Sequence, residues 1–216
     1  MTIKLESRAI GGFELRKSED KKTTSVKLVF PLRAISHPIW DLFYETFTED
    51  AFDEDLANRD RIVAVDVNHD PYGVPLARSK GGEGTLKLRR KKDELIGEFD
   101  LPASRSDIAE AMERGDMDGT SIAFRPLDED WNARHNGKPL RTVSRAEIRR
   151  MTLCFEPAYP DSSASKRSPI LLANDLTRED YIELINKHMS SKPADNGQRA
   201  LQNLIEMRLK LSKKPG

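Results

Sequence analysis

His69 ends the run Val67-Asn68-His69-Asp70-Pro71, and Ser121 begins an apolar run behind Gly115-Asp116-Met117-Asp118-Gly119-Thr120. An imidazole exchanges a proton near neutral pH, and a serine hydroxyl attacks a carbonyl only when a base takes its proton. Brought together, these two side chains are the base and nucleophile of a serine hydrolase. Kept apart, they leave a charged α+β domain with no visible chemistry. The other histidines offer less. His37 precedes a proline, His135 lies in a polar stretch, and His188 ends a helical pattern. None has a partner at a metal-ligand spacing such as His-x-x-x-His, so no metal site is expected. No motif calls for a cofactor.

Each assignment competes with a plainer one. A lone histidine at a strand end is more often a hydrogen-bonding cap, and a strand serine more often only packs. The setting argues for Ser121. Gly119 can adopt a positive φ and bring the backbone close to a ligand, which makes its N–H a candidate oxyanion donor, with Arg125 or the Gly81-Gly82 loop as helpers. Strand alternation puts Thr120 and Ser121 on opposite faces, so only one of them can face His69. Position 123 is alanine, so this is not a Gly-x-Ser-x-Gly elbow. A third group must orient the imidazole. Glu147, at the start of the last strand, is the candidate. Asp66, Asp70, Asp116 and Asp118 are also close in sequence to the dyad and stay in contention, the last two equally as turn formers.

The elements that must position these groups read as follows. Residues 1–35 read as strands, with Ser25-Val26-Lys27-Leu28-Val29-Phe30-Pro31-Leu32 the strongest. Residues 38–58 mix aromatic and acidic side chains, with a short helix or turn over Phe52 to Leu56. Arg61 to Val67 is a buried strand stopped by Pro71. Residues 85–89 and 95–101 form a hairpin. A helix capped by Ser104 or Ser106 carries Ile108, Ala111 and Met112 and stops at Gly115. Strands 120–125 and 147–155 follow, separated by a polar stretch, 128–141, that reads as a loop. Beyond Asp161 the composition turns small, polar and basic, as in a linker. Two helical patterns then remain, one opened by Thr177 and one over 198–211. The division expected is 1–168 and a helical extension, 169–216.

The 216 residues are 37% hydrophobic and 33% charged, enough for one core with part of the chain outside it. Lys+Arg and Asp+Glu both number 36, so no basic field points to nucleic acid. Cys154 is the only cysteine, which excludes an internal disulfide. No apolar run approaches the roughly twenty residues that span a bilayer, and the first residues lack a signal-peptide layout. A reducing, cytoplasmic setting is expected.

Several segments, in order, carry a resemblance: Phe43-Tyr44-Glu45-Thr46-Phe47-Thr48-Glu49-Asp50-Ala51-Phe52, Val67-Asn68-His69-Asp70, Gly84-Thr85-Leu86, Phe99-Asp100-Leu101-Pro102, Arg114-Gly115-Asp116 through Ser121-Ile122-Ala123-Phe124, and Thr152 to Phe155 with Pro157-Ala158-Tyr159-Pro160-Asp161. Over about residues 25–168 the chain resembles the prohead proteases of tailed bacteriophages. The resemblance implies a fold like that of the herpesvirus assemblin proteases: α+β, with a mixed, mostly antiparallel β-barrel surrounded by helices. It implies a serine endopeptidase that cleaves the major capsid protein's scaffold segment, and often itself, inside the procapsid in the host cytoplasm. The family histidine falls on His69 and the family serine on Ser121. The last strand of the family usually carries an acidic residue a few positions before its Ser/Thr-Val run. One such position here is Arg150, a departure; Glu147 is retained. A homodimer is the implied assembly. The departure also keeps open a degenerate homologue that acts only as an assembly or scaffolding factor. The helices after residue 175 are candidates for scaffold or capsid binding.

Overall fold

Val26, Leu28 and Phe30 of strand β2, Thr24–Pro31, and Val63 and Val65 of strand β4, Ile62–Val67, are buried at every second position, and that alternation organises the fold. The structure, a computed structural model, describes residues 6–17, 23–58, 60–70, 72–154 and 176–190. Its remaining strands are β1 Glu6–Lys17, β3 Tyr44–Phe47, β5 Ala77–Lys80, β6 Glu83–Gly84, β7 Lys87–Lys91, β8 Glu94–Asp100, β9 Gly119–His135 and β10 Lys138–Cys154. Three helices accompany them: α1 Asp53–Ala57, α2 Ser106–Arg114 and α3 Arg178–Ser190.

The strands hydrogen-bond in the order β6-β5-β4-β10-β9-β1-β2-β8-β7, with β3 also on β10. Pairing is antiparallel except that β3 and β4 run parallel to β10. The fold is thus α+β and sheet-rich, as expected. The expected closed barrel is not there: among the described residues the order is an open path. Its two ends explain why it stops. β6 is only two residues long, and β7 presents Lys87, Arg89, Arg90 and Lys91, charges that keep an edge from pairing further. β1 turns the corner within this path. Its first half pairs with β9 and its second with β2, and the register slips between Ala9 and Gly11 beside Ser121.

The apolar set of each strand points to one core. Val63 and Val65, Ile122 and Phe124, Met151 and Leu153 meet Val26, Leu28, Phe30, Leu95 and Phe99. Phe47 ties the layers together, with ring centroids 5.5 Å from Phe30, 5.5 Å from Phe52 and 5.1 Å from Phe124. Each such buried side chain contributes about 1.5–3 kcal/mol. Helix α2 adds Ile108 and Met112. It ends at Gly115, whose φ of 79° suits a residue without a Cβ.

One expectation fails outright. Residues 128–141 are not a loop: β9 continues to His135, turns on Asn136-Gly137 with φ 47° and 78°, and returns as β10. Two central residues with positive φ are the signature of a tight hairpin turn. Much of the segment's charge, as at Asp128, Asp130 and Arg134, is exposed on the hairpin, while Arg141 is paired inside. Arg141 is fully buried, with Nη1 2.8 Å from Glu45 and Nε 2.7 Å from Glu129. Its guanidinium lies over the Trp131 ring, which packs on Phe43.

The described residues divide at Glu179 and Asp180 into two units. The second contains most of α3. The expected boundary at 168 and the helix expected over 198–211 lie outside the described residues.

Candidate active site

Where the core-facing residues of β4, β10 and β9 point one way, their neighbours point the other. The opposite face carries Ala64 and Asp66, Arg150 and Thr152, Ser121 and Ala123. Pairing register sets three of these in a row. Asp66 is the strand partner of Thr152, and Thr152 is the partner of Ser121. All three are buried, Ser121 and Thr152 completely. The Thr152 hydroxyl lies 2.6 Å from Asp66 Oδ1.

His69 reaches this row from the turn that ends β4. The Asn68 N–H bonds Leu153 O at 2.8 Å, extending the parallel ladder, and the Asp70 N–H closes on Val67 O at 3.1 Å. Asn68 and His69 both have positive φ, 52° and 58°. A histidine in that region is uncommon and strained by roughly 1–3 kcal/mol. From this turn the ring Nδ1 comes within 3.3 Å of Thr152 Oγ1 on β10. His69 and Ser121 therefore border the same threonine. Ser121, not Thr120, shares this face, because Thr120 is paired one rung along, with Leu153. Ser121 Oγ is enclosed and has no hydrogen-bond partner among the described residues. A buried, unbonded hydroxyl costs about 1–3 kcal/mol.

The charges in the pocket are unevenly balanced. Burial raises the Asp66 carboxyl to about 6, against the Thr152 hydrogen bond, the Arg150 charge and the His69 backbone amide, which lower it. Arg150 Nε stands 2.9 Å from Asp66 Oδ2. Burial lowers His69 to about 4, and the Arg150 charge adds to the effect. At neutral pH the ring is uncharged and Asp66 is ionised. As enclosed here, the imidazole is a weak base.

The remaining candidates fall elsewhere. Glu147 does not orient His69. It is the partner of Arg125, four rungs along the ladder from Ser121, about 13 Å at 3.3 Å per residue. There Arg61 bonds it at 2.7 and 2.8 Å and Arg149 at 2.7 Å, and the Arg61 hydrogen bond holds its carboxyl below the usual range. Arg125 lies 3.7 Å from Glu147 and is out of reach of the Ser121 hydroxyl. Gly119 is not a left-handed turn residue but the first residue of β9, paired with Cys154. Gly81 bonds Arg61 O, at the end of β4 away from His69. Asp70 accepts from the Tyr72 N–H at 2.9 Å, and Asp116 pairs with Arg114 at 2.9 Å. Of the carboxylates weighed from sequence, Asp66 is the one on the row.

Sequence reasoning missed Thr152 and the part played by Arg150. The available signal was a polar residue in an apolar strand, Met151-Thr152-Leu153. Its meaning depends on a register set by an irregularity between Ile148 and Arg150, which spacing alone does not reveal.

A protein-family model described as caudovirus prohead serine protease matches residues 16–173. No curated protein and no solved structure matches the chain.

Proposed function

The chain belongs to the caudovirus prohead serine protease family, and from that premise we propose that it is a serine endopeptidase with Ser121 as nucleophile and His69 as general base. The observation that carries the reading is the unbonded Ser121 hydroxyl in register with Thr152, whose oxygen meets His69 Nδ1. A polar group left unpaired in a core is kept at a cost, and reactive sites are where such costs concentrate. In the reaction His69 Nε2 takes the proton of Ser121 as Oγ bonds to the scissile carbonyl carbon. The same proton passes to the leaving amine as the C–N bond breaks. Water, deprotonated by His69, then cleaves the acyl ester and restores Ser121. The substrates are the scaffold segment of the capsid protein and the protease chain itself, inside the procapsid, with a homodimer as the working form. The kinship to the herpesvirus assemblin fold belongs to the same proposal.

Both groups are buried, so a peptide reaches Ser121 only after the site opens. Opening also rehydrates the ring and raises its basicity towards the range a general base needs. The enclosed serine and weak base support a second reading, an assembly factor without turnover. A serine-reactive fluorophosphonate separates the two in assembling procapsids. The peptidase reading expects labelling at Ser121, and cleavage abolished in Ser121→Ala and His69→Ala proteins that still fold. Correct particles with no labelling, or processing unaltered in either folded variant, would overturn it.

A further inference from the structure

His69 Nδ1 meets a hydroxyl, not a carboxylate, and the proton of that hydroxyl is already committed. Thr152 Oγ1 is 2.6 Å from Asp66 Oδ1 and 3.3 Å from His69 Nδ1. A hydroxyl has one proton to give and lone pairs to accept with, whereas an ionised carboxylate only accepts. Thr152 must therefore donate to Asp66, which leaves it an acceptor towards His69. The ring hydrogen then sits on Nδ1, and the Nε2 lone pair is the one free for Ser121. We propose that Thr152 and Asp66 together supply the third member of the site as positioning residues: Asp66 sets the direction of the Thr152 hydroxyl, and that direction selects the imidazole tautomer able to take the Ser121 proton. This rests on the reading of Ser121 and His69 as nucleophile and base.

The chain can run backwards. Once protonated, Asp66 becomes the donor, Thr152 accepts from it and donates to Nδ1, and the ring hydrogen moves to Nε2. One proton has been added, the imidazole is still neutral, and the base is switched off. The groups facing Asp66 fix where this happens. Thr152 and Arg150 face it from β10, the His69 backbone amide from the turn, and the charge of Asp70 raises it further. Asp66 at about 6 takes its proton before His69 at about 4 as pH falls.

The full-length protein, labelled with ¹⁵N at the histidine rings, gives the test by two-bond proton–nitrogen spectra. The His69 signals are those lost in His69→Gln. At pH 7.5 the wild type and Thr152→Ser should show hydrogen on Nδ1, and Thr152→Val should lose that preference. Below pH 6 the wild-type ring should move to the Nε2–H form without the shifts of an imidazolium. In cleavage, Thr152→Val should lower kcat about 100-fold, within the range of general-base catalysis, with KM little changed, and Thr152→Ser should restore most of it. A wild-type ring carrying Nε2–H at pH 7.5, or a Thr152→Val protein that keeps both the Nδ1–H form and its kcat, overturns the proposal. The spectra are read without substrate. A wrong tautomer thus sinks the orienting pair whatever Ser121→Ala does to cleavage, and unaffected cleavage in Ser121→Ala sinks the peptidase whatever the spectra show.

Discussion

Two of the buried polar clusters in this molecule, one in the long hairpin and one at the end of β4, are built on opposite terms. In the hairpin, Arg141 is matched by Glu45 and Glu129 and covered by Trp131. Trp131 Nε1 in turn donates to Glu129 at 3.1 Å. In the row of Asp66, Thr152, His69 and Ser121, the serine has no partner among the described residues, the carboxylate is pushed up and the imidazole is pushed down. A network with its donors and acceptors matched holds structure in place. One left short, with charges displaced by burial, stores what a reaction uses. Under the proposed function the first is architecture and the second chemistry, and substitutions in each should read out differently.

The largest expected effect is on turnover. Ser121→Ala should lower cleavage by about 10³-fold or more. The same change removes an unsatisfied buried hydroxyl, so denaturant unfolding should show stability unchanged or up to about 1 kcal/mol higher. A variant that loses activity and stability together would place Ser121 with the structural cluster.

Arg141→Met tests the other side. It leaves Glu45 buried without its guanidinium, and breaking a buried pair in this way costs about 3–5 kcal/mol. Unfolding measurements should show that loss, whereas kcat of the folded fraction should change little. Replacing the arginine and both glutamates with apolar residues together should recover much of the stability. A large fall in kcat at full stability would erase the distinction between the two clusters.

A smaller effect separates the two charges of the reactive row by sign. His69 is depressed from 6.5 to about 4, so its native form stays neutral where the unfolded ring is protonated, and its contribution to stability grows as pH rises across that window. Asp66 is raised from 3.8 to about 6, so its native form holds a proton the unfolded chain has released, and its contribution shrinks as pH rises across nearly the same window. In the wild type the two slopes largely cancel. His69→Gln leaves Asp66 alone, and stability should fall by up to about 3 kcal/mol from pH 4 to 6; Asp66→Asn leaves His69 alone, and stability should rise by a similar amount from pH 4 to 6.5. Parallel slopes in the two variants would show that burial does not act on these groups in opposite directions.

The same contrast explains what was legible in the sequence. His69 and Ser121 stand out by residue type and by the turn residues beside them, and in the structure each neighbours Thr152. The strands of the central sheet were readable from alternation, as in Val63, Val65 and Val67. Thr152 was not, because a threonine gains a role only from its neighbours across strands. Those are fixed by the slip between Ile148 and Arg150. Glu147 looked suitable by chain position, yet four rungs of ladder separate its partner from Ser121. The stretch carrying Glu129 and Arg141 reads as a loop because the sequence does not show that Arg141 is neutralised by Glu129 and Glu45. The closed barrel failed for a related reason. Whether a sheet closes depends on what its end strands meet, and charged β7 and two-residue β6 are poor partners.

The smallest effect tests whether the hairpin is architecture alone. Gly137 has φ 78°, and a Cβ built there meets nothing within 4 Å. Gly137→Ala is therefore opposed only by the backbone, at about 1 kcal/mol. The neighbouring Asn136, with φ 47°, already tolerates the left-handed region as asparagine does. The turn lies at the opposite end of β9 and β10 from Ser121 and Thr152, so strain there should reach stability and not the reactive row. Unfolding should show the loss of about 1 kcal/mol, with kcat, KM and the acid limb of the pH profile unmoved. A shift of that acid limb in Gly137→Ala would mean that the hairpin turn and the histidine are coupled along the strands, and the two clusters would have to be treated as one.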